Sequence, residues 1–137
     1  MNEEDLNILA RTMYGEARGE YATSGLAPLI AIANVIMNRL KKGKRFGKTI
    51  SEVCLKPKQF SCWNENDPNY ALLKGNEFLK EPLFMLCLEV AKKVVKGSWP
   101  DLTRGCDHYH ATSCNPSWAN PDKIKLRIGH HIFYNLT

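Results

Sequence analysis

The residue best placed to do chemistry is Glu16, in the run Gly15-Glu16-Ala17-Arg18-Gly19-Glu20. It falls at the carboxyl end of a segment with an apolar helical stripe, so its carboxylate is carried on a rigid element beside a glycine-broken surface. The neighbouring Tyr14 ring is placed to desolvate it in part, as a general acid requires. Taken alone, such a glutamate is more often a solvated helix end than a catalyst. Glu20 would share a helix face with Glu16 if the helix continued, but Gly19 argues for a break. Pairing with Arg18 or Arg39, or orienting a loop, are equally good uses of Glu20.

A second set of residues is aromatic and polar. Gln59, Phe60, Ser61 and Trp63 lie in the first half of the chain, Tyr109 and Trp118 in the second. Aromatic faces suit the apolar sides of sugar rings, and amides and hydroxyls suit their polar edges. Phe60 and Trp118 fit a core or groove-wall role equally well, whereas Gln59, Ser61 and Tyr109 are expected to face a cleft. The histidines raise a third chemistry. His108 and His110 alternate on one face of a strand and could chelate a metal with His130. Only Asp107 accompanies them, and strand histidines are commonly just hydrogen-bonded, so neither a metal nor any other cofactor is expected.

These groups must be held by elements that the apolar spacing makes legible. Leu6, Leu9, Ala10, Met13 and Ala17 put one stripe on a helix from about Glu3 to Arg18, which Gly19 would end. Leu26 to Lys42 predicts a second helix entered through Gly25, with Pro28 tolerated in its first turn and Leu29, Ile32, Ala33, Ile36 and Leu40 facing inward. Ser51 to Leu55 predicts a short helix capped by Thr49 or Ser51 and stopped by Pro57. Phe60 to Tyr70 reads as an irregular loop. About Pro82 to Lys96, closing at Gly97, is a last long helix. The stretches Asp107–Ala111 and Ile128–Tyr134 then predict two short antiparallel strands. The expected class is α+β, a helical body with a small antiparallel β element.

Length and composition bound what such a body can be. At 137 residues and 44% hydrophobic, one folded domain covering 1–137 is expected, with a core that needs no metal or disulfide. A net charge of +5 favours polyanionic surroundings such as a teichoic-acid-bearing wall. The basic residues are nevertheless spread out, and no nucleic-acid partner is expected. The one cluster, Lys41, Lys42, Lys44 and Arg45, suits the carboxyl end of a helix. No apolar run approaches the roughly 20 residues of a membrane span. Met1 to Asp5 is acidic and polar, so no signal peptide is expected. The five cysteines, Cys54, Cys62, Cys87, Cys106 and Cys114, are odd in number and show no zinc spacing, so reduced thiols are the default. Cys87, inside an apolar run, reads as a small buried hydrophobe.

Several motifs in order carry a resemblance over nearly the whole chain. Arg11 through Glu20, Ala31 through Arg39, Pro57 through Ser61, Asp107 through Ala111, Trp118-Ala119 and Ile128 through Phe133 follow one another as in spore-cortex-lytic cell wall hydrolases of the SleB/CwlJ type. The Gly15–Glu20 element resembles that family's signature, and Glu16 matches its catalytic glutamate. The resemblance implies a lysozyme-like fold and cleavage of the peptidoglycan bond between N-acetylmuramic acid and N-acetylglucosamine. It implies no metal catalyst. Hydrolytic glycosidases generally use two carboxylates, and no second one besides Glu20 is evident here. A lytic transglycosylase needs one acid/base, because the muramyl C6 hydroxyl attacks the anomeric carbon. Glu16 as that single group, giving 1,6-anhydro-muramic acid ends, is therefore the expected function. A groove for the strand is expected from Tyr14, Arg18, Glu20, Gln59, Phe60, Ser61, Trp63, Tyr109 and Trp118. The alternatives are a muramidase endolysin, then a zinc amidase resting on the histidines, and an inactive wall-binding module that the intact Glu16 argues against. A monomer acting on the cell wall or spore cortex is expected. Its route there would be a holin, another pathway, or secretion of a longer form.

Overall fold

The computed structural model describes residues 2–43, 45–57 and 59–137; Lys44 of the basic cluster, Lys58 of the Pro57–Ser61 motif and Met1 lie outside the described residues. Helix α1 spans Glu3–Ala17 and starts where the Asn2 side chain accepts from Asp5 N at 2.8 Å, with Glu3, Glu4 and Asp5 in a first turn that favours anions. Its stripe of Leu9, Ala10, Met13 and Ala17 is buried. The α-helix ends at Ala17, beside the break expected at Gly19, but the chain does not turn away there. A 3-10 turn, Arg18–Glu20, and a one-turn helix α2, Tyr21–Ser24, carry the chain on. The reversal comes at Gly25, whose φ of +69° only glycine adopts readily.

Helix α3, Ala27–Lys42, has two working faces. Leu29, Ile32, Ala33 and Ile36 are fully buried in the main core. Asn34, Asn38 and Lys42, each four residues apart, form a polar stripe that holds the segment after α6. Asn34 Oδ1 accepts from Leu102 N at 3.1 Å, Asn38 Nδ2 donates to Asp101 Oδ2 at 2.8 Å and to Cys106 O at 3.0 Å, and Lys42 Nζ reaches Asp107 Oδ2 at 3.0 Å. Lys42 is therefore more than a solvated cation at a helix end.

Helix α4, Ile50–Leu55, is capped by Thr49. The stretch expected to be an irregular loop instead holds a 3-10 turn, Ser61–Trp63, and the start of helix α5, Pro68–Lys74. Asp67 caps α5 and Pro68 occupies its first turn, a start signal in its own right. Helix α6, Pro82–Val95, buries Phe84, Cys87, Val90, Ala91 and Val94. The main core joins α1, α3, α4 and α6 through residues such as Leu9, Met13, Ile32, Phe78 and Phe84. Each such large side chain contributes about 1.5–3 kcal/mol on burial.

The sheet has three strands rather than two: β1 His108–Ala111, β2 Ile124–Ile128 and β3 His131–Tyr134, antiparallel in the order β1-β3-β2. The stretch expected as a single strand from Ile128 to Tyr134 is a hairpin turn followed by β3. Ile128 pairs with His131 across the loop Gly129–His130, which Gly129 opens at φ +57°. Ala31, Val35, Cys106 and Phe133 form a second, smaller cluster that fastens the sheet to α3. The class is α+β with low strand content, as the sequence predicts.

Candidate active site

Glu16 sits in the last turn of α1, and its two oxygens are held from opposite sides. Cys62 N donates to Oε2 at 3.0 Å and Ser61 Oγ to the same atom at 3.3 Å, both from the 3-10 turn. From the sheet, Tyr109 OH donates to Oε1. A helix carboxyl end opposes an anion by roughly 0.3–1 kcal/mol, and these donors outweigh that. Burial pushes the Tyr109 hydroxyl well above its ordinary range, and Glu16 adds to the shift, so the phenol keeps its proton and donates. The turn comes this close because residue 15 is glycine. A Cβ there would stand 2.8 Å from Cys62 Cβ and 2.6 Å from Leu73 Cδ1.

Glu16 lies in a groove of about 750 Å³ between the helical body and the sheet. One wall carries Gln59, Ser61, Asn64 and Asn69; the other carries Tyr109, His110, Trp118 and His131. Beneath them is Arg39, 5% exposed, donating through Nε to Asp107 O at 2.7 Å and through Nη1 to Gln59 Oε1 at 3.0 Å. Its guanidinium lies over the Phe60 ring at 4.9 Å. Burial pulls the Arg39 group below its ordinary value, and Tyr109 and Asp107 oppose that pull. Arg39, expected only as a partner for Glu20, joins the groove instead; its sequence signal is an arginine within an otherwise apolar helix.

Of the residues expected at the groove, Gln59, Ser61, Tyr109 and Trp118 line it with Glu16. Trp118 is 38% exposed and meets His108, His110 and Tyr134 edge-on. Five others are elsewhere. Tyr14 is 4% exposed, stacks on Phe78 and donates to Glu81 Oε2, so it does not shield Glu16. Two residues apart on a helix, Tyr14 and Glu16 point to different sides. Arg18 lies over the Tyr14 ring at 5.3 Å and holds Asn69 Oδ1 at 2.8 Å, touching the groove only through Asn69. Phe60 is buried under Arg39 and Tyr109. Trp63 donates to Thr12 Oγ1 at 2.9 Å and lines a different depression beside Leu55 and Pro57. Glu20 is buried against the β2–β3 turn, where Oε1 accepts from His130 N at 2.5 Å; it pairs with neither Arg18 nor Arg39 among the described residues.

The histidines are individually engaged. His108 Nδ1 lies 2.9 Å from Asp107 Oδ1, and His110 Nε2 lies 2.7 Å from Tyr134 OH. Among the described residues no three His, Cys, Asp or Glu side chains cluster as a metal site. All five cysteines are free, Cys114 alone being exposed. Asp107 is fully buried. Burial by itself would raise its carboxyl, but donors from Leu136 N, Thr137 Oγ1, His108 and Lys42 hold it well below the usual carboxylate range.

Known proteins resemble this chain in sequence and in fold. A family described as Cell Wall Hydrolase matches residues 25–134, a range that begins after Glu16. The chain is 26% identical over 96% of its length to a spore cortex-lytic enzyme of Bacillus cereus, and 30% identical over 98% to one of Halalkalibacterium halodurans. It spans 44% and 36% of the lengths of those relatives. Among solved structures, the catalytic domain of the Bacillus cereus SleB protein superposes with TM-score 0.69 at 27% identity, covering 97% of this chain and 91% of that one. The catalytic domain of the germination-specific lytic transglycosylase SleB from Bacillus anthracis superposes with TM-score 0.70 at 24% identity, covering 98% and 96%. Both similarities show the same fold over nearly the whole chain.

Proposed function

The chain belongs to the Cell Wall Hydrolase family, and on that premise we propose that it degrades peptidoglycan as a lytic transglycosylase with Glu16 as its single acid/base. The observation that carries the proposal is the lining of the groove: among the described residues, Glu16 is its one carboxylate. Residues 1–137 would form one catalytic domain acting on the cell wall or spore cortex, as the names of the relatives suggest.

In this mechanism Glu16 gives its proton to the N-acetylglucosamine O4 as the bond from that oxygen to the muramyl C1 breaks. The resulting carboxylate takes the proton of the muramyl C6 hydroxyl while O6 bonds to C1 and closes the anhydro ring. No water is consumed, and Glu16 ends protonated for the next cycle. Tyr109, Ser61 and Cys62 N keep the carboxyl in place through both steps. Trp118 offers a ring face, and Gln59, Asn64 and Asn69 offer amides to the sugar edges.

A hydrolytic muramidase would need a second carboxylate to activate water or form a covalent intermediate. Glu20, the remaining candidate, is occupied by the Gly129–His130 turn. Digestion of purified peptidoglycan in heavy-oxygen water decides between the two. We expect unlabelled 1,6-anhydro-muramic acid ends; labelled reducing muramyl ends would replace the transglycosylase with a muramidase.

A further inference from the structure

Tyr109, His131 and Phe133 share one face of the sheet, since Tyr109 pairs with Phe133 across β1 and β3 and His131 lies two residues before it. That face packs on α3 through Phe133 and reaches Glu16, at the end of α1, through Tyr109. The His131 ring lines the groove, standing edge-on to Tyr109 with centroids 5.1 Å apart. Its Nδ1 lies 2.6 Å from Glu20 Oε2. Both atoms are buried, and neither has another partner among the described residues. The other Glu20 oxygen takes the His130 amide at 2.5 Å. Residue 129 must be glycine for this approach, because a Cβ would collide with Glu20 Oε1.

A carboxylate cannot donate, so the proton shared at the Glu20–His131 contact belongs to Nδ1. In a neutral imidazole that leaves Nε2 bare, as an acceptor. Burial lowers the His131 imidazolium below its ordinary value; Glu20 and Glu16 oppose that and His130 adds to it, with the net shift downward. That direction favours the neutral ring. Most other groups lining the groove donate, as the Arg39 guanidinium does, or are already engaged: Tyr109 OH and Ser61 Oγ with Glu16, His110 with Ala111 O and Tyr134 OH, and the Gln59 and Asn69 amide oxygens with Arg39 and Arg18. A sugar hydroxyl that must itself give up a proton or hold a fixed orientation needs an acceptor.

We propose that Glu20 fixes His131 in the Nδ1-protonated tautomer, so that its bare Nε2 accepts a hydrogen bond from a substrate sugar hydroxyl and orients the glycan beside Glu16. The proposal rests on the glycan-cleaving function above and adds to it a binding residue and its positioning partner. It assigns Glu20 a role that a merely structural glutamate would not have. In Glu20→Gln the amide oxygen can still take the His130 N–H, but only by turning its NH2 toward His131. A donor there requires Nδ1 to accept, so the proton moves to Nε2 and the acceptor in the groove becomes a donor.

The test combines nitrogen-15 NMR of the imidazole rings in the free protein with steady-state cleavage of soluble peptidoglycan strands. Wild type should carry the His131 proton on Nδ1 at pH 7.5, and Glu20→Gln should carry it on Nε2. The same variant should raise KM about five- to tenfold, the size of one neutral hydrogen bond, with kcat within about twofold. In wild type, KM should rise as pH falls and His131 becomes protonated. A wild-type ring protonated on Nε2, or a Glu20→Gln variant with an inverted tautomer and unchanged KM, would overturn the proposal. The NMR arm uses wild type without substrate, so it stands whether or not the variant folds. An absence of glycan cleavage by wild type would instead count against the proposed function.

Discussion

Gly15→Ala tests how the site is held together. Gly15 faces the 3-10 turn and α5, and an added Cβ would stand 2.6 Å from Leu73 Cδ1, 2.8 Å from Cys62 Cβ and 2.9 Å from Cys62 Sγ. The end of Leu73 can rotate away. Cys62 Cβ is tied to its backbone, so the turn itself must retreat by at least 0.6 Å to go from 2.8 Å to the 3.4 Å where ordinary contact begins. That motion carries Cys62 N, now 3.0 Å from Glu16 Oε2, to the limit of a hydrogen bond. Overpacking costs about 1–3 kcal/mol, and replacing a helical glycine by alanine returns about 1 kcal/mol. The net loss of stability is therefore about 0–2 kcal/mol, a fall in melting temperature of no more than roughly 8 °C. Activity should suffer more. A hydrogen bond to a charged group contributes about 1.5–3 kcal/mol, so losing it lowers the rate roughly 10- to 150-fold. Calorimetry and the rate at which purified peptidoglycan suspensions clear provide both measurements. A melting temperature raised by the alanine together with an undiminished rate would refute this account of Gly15.

Glu16→Gln should fold normally and clear peptidoglycan at least about a hundredfold more slowly, because the amide cannot donate a proton to the leaving oxygen; more than a tenth of wild-type activity would make Glu16 structural. The acid limb of stability should fall in two stages. His108 and His131 are held below their ordinary values, so stability falls as pH drops below about 6.5. Asp107 is also held low, so its contribution is complete above about pH 4 and lost as pH falls through its lower folded value. Asp107→Asn should flatten that second stage in thermal melts at pH 2–5 and lower the melting temperature at pH 7; an unchanged acid limb would mean that Asp107 is not the group responsible. Reductant should leave both activity and melting temperature unchanged, since all five cysteines are free; a sharp drop in either would reveal a disulfide that matters.

The long helices were legible because their apolar stripes are strong and their ends are marked by Pro28, Pro82, Gly43 and Gly97. Two shorter elements carried equally physical signals that passed unread. Asp67-Pro68 is a cap followed by a first-turn proline, and Ile124, Leu126 and Ile128 alternate with Lys125 and Arg127 as a half-exposed strand does. The groove was half legible. Glu16, Gln59, Ser61, Tyr109 and Trp118 come together in it, but a residue's side of the fold depends on register, which short segments do not reveal. Tyr14 and Trp63 turn away for that reason. Arg39 and His131 join the site only when α3 and the sheet meet, a tertiary event without a local signature.

The strand order β1-β3-β2 places the last strand in sequence at the centre of the sheet. As the chain leaves the ribosome, β1 and β2 emerge with no neighbour to pair with, and both wait for His131–Tyr134. Tyr109, which holds Glu16, therefore cannot settle until β3 arrives, more than a hundred residues after Glu16 itself. Such non-local closure is slow relative to helix formation. The helical half can be assembled on a nascent chain while the groove has no second wall. Competence for the proposed cleavage then comes as a single late event, and a chain interrupted before β3 leaves the cell with a helical body but no cutting edge.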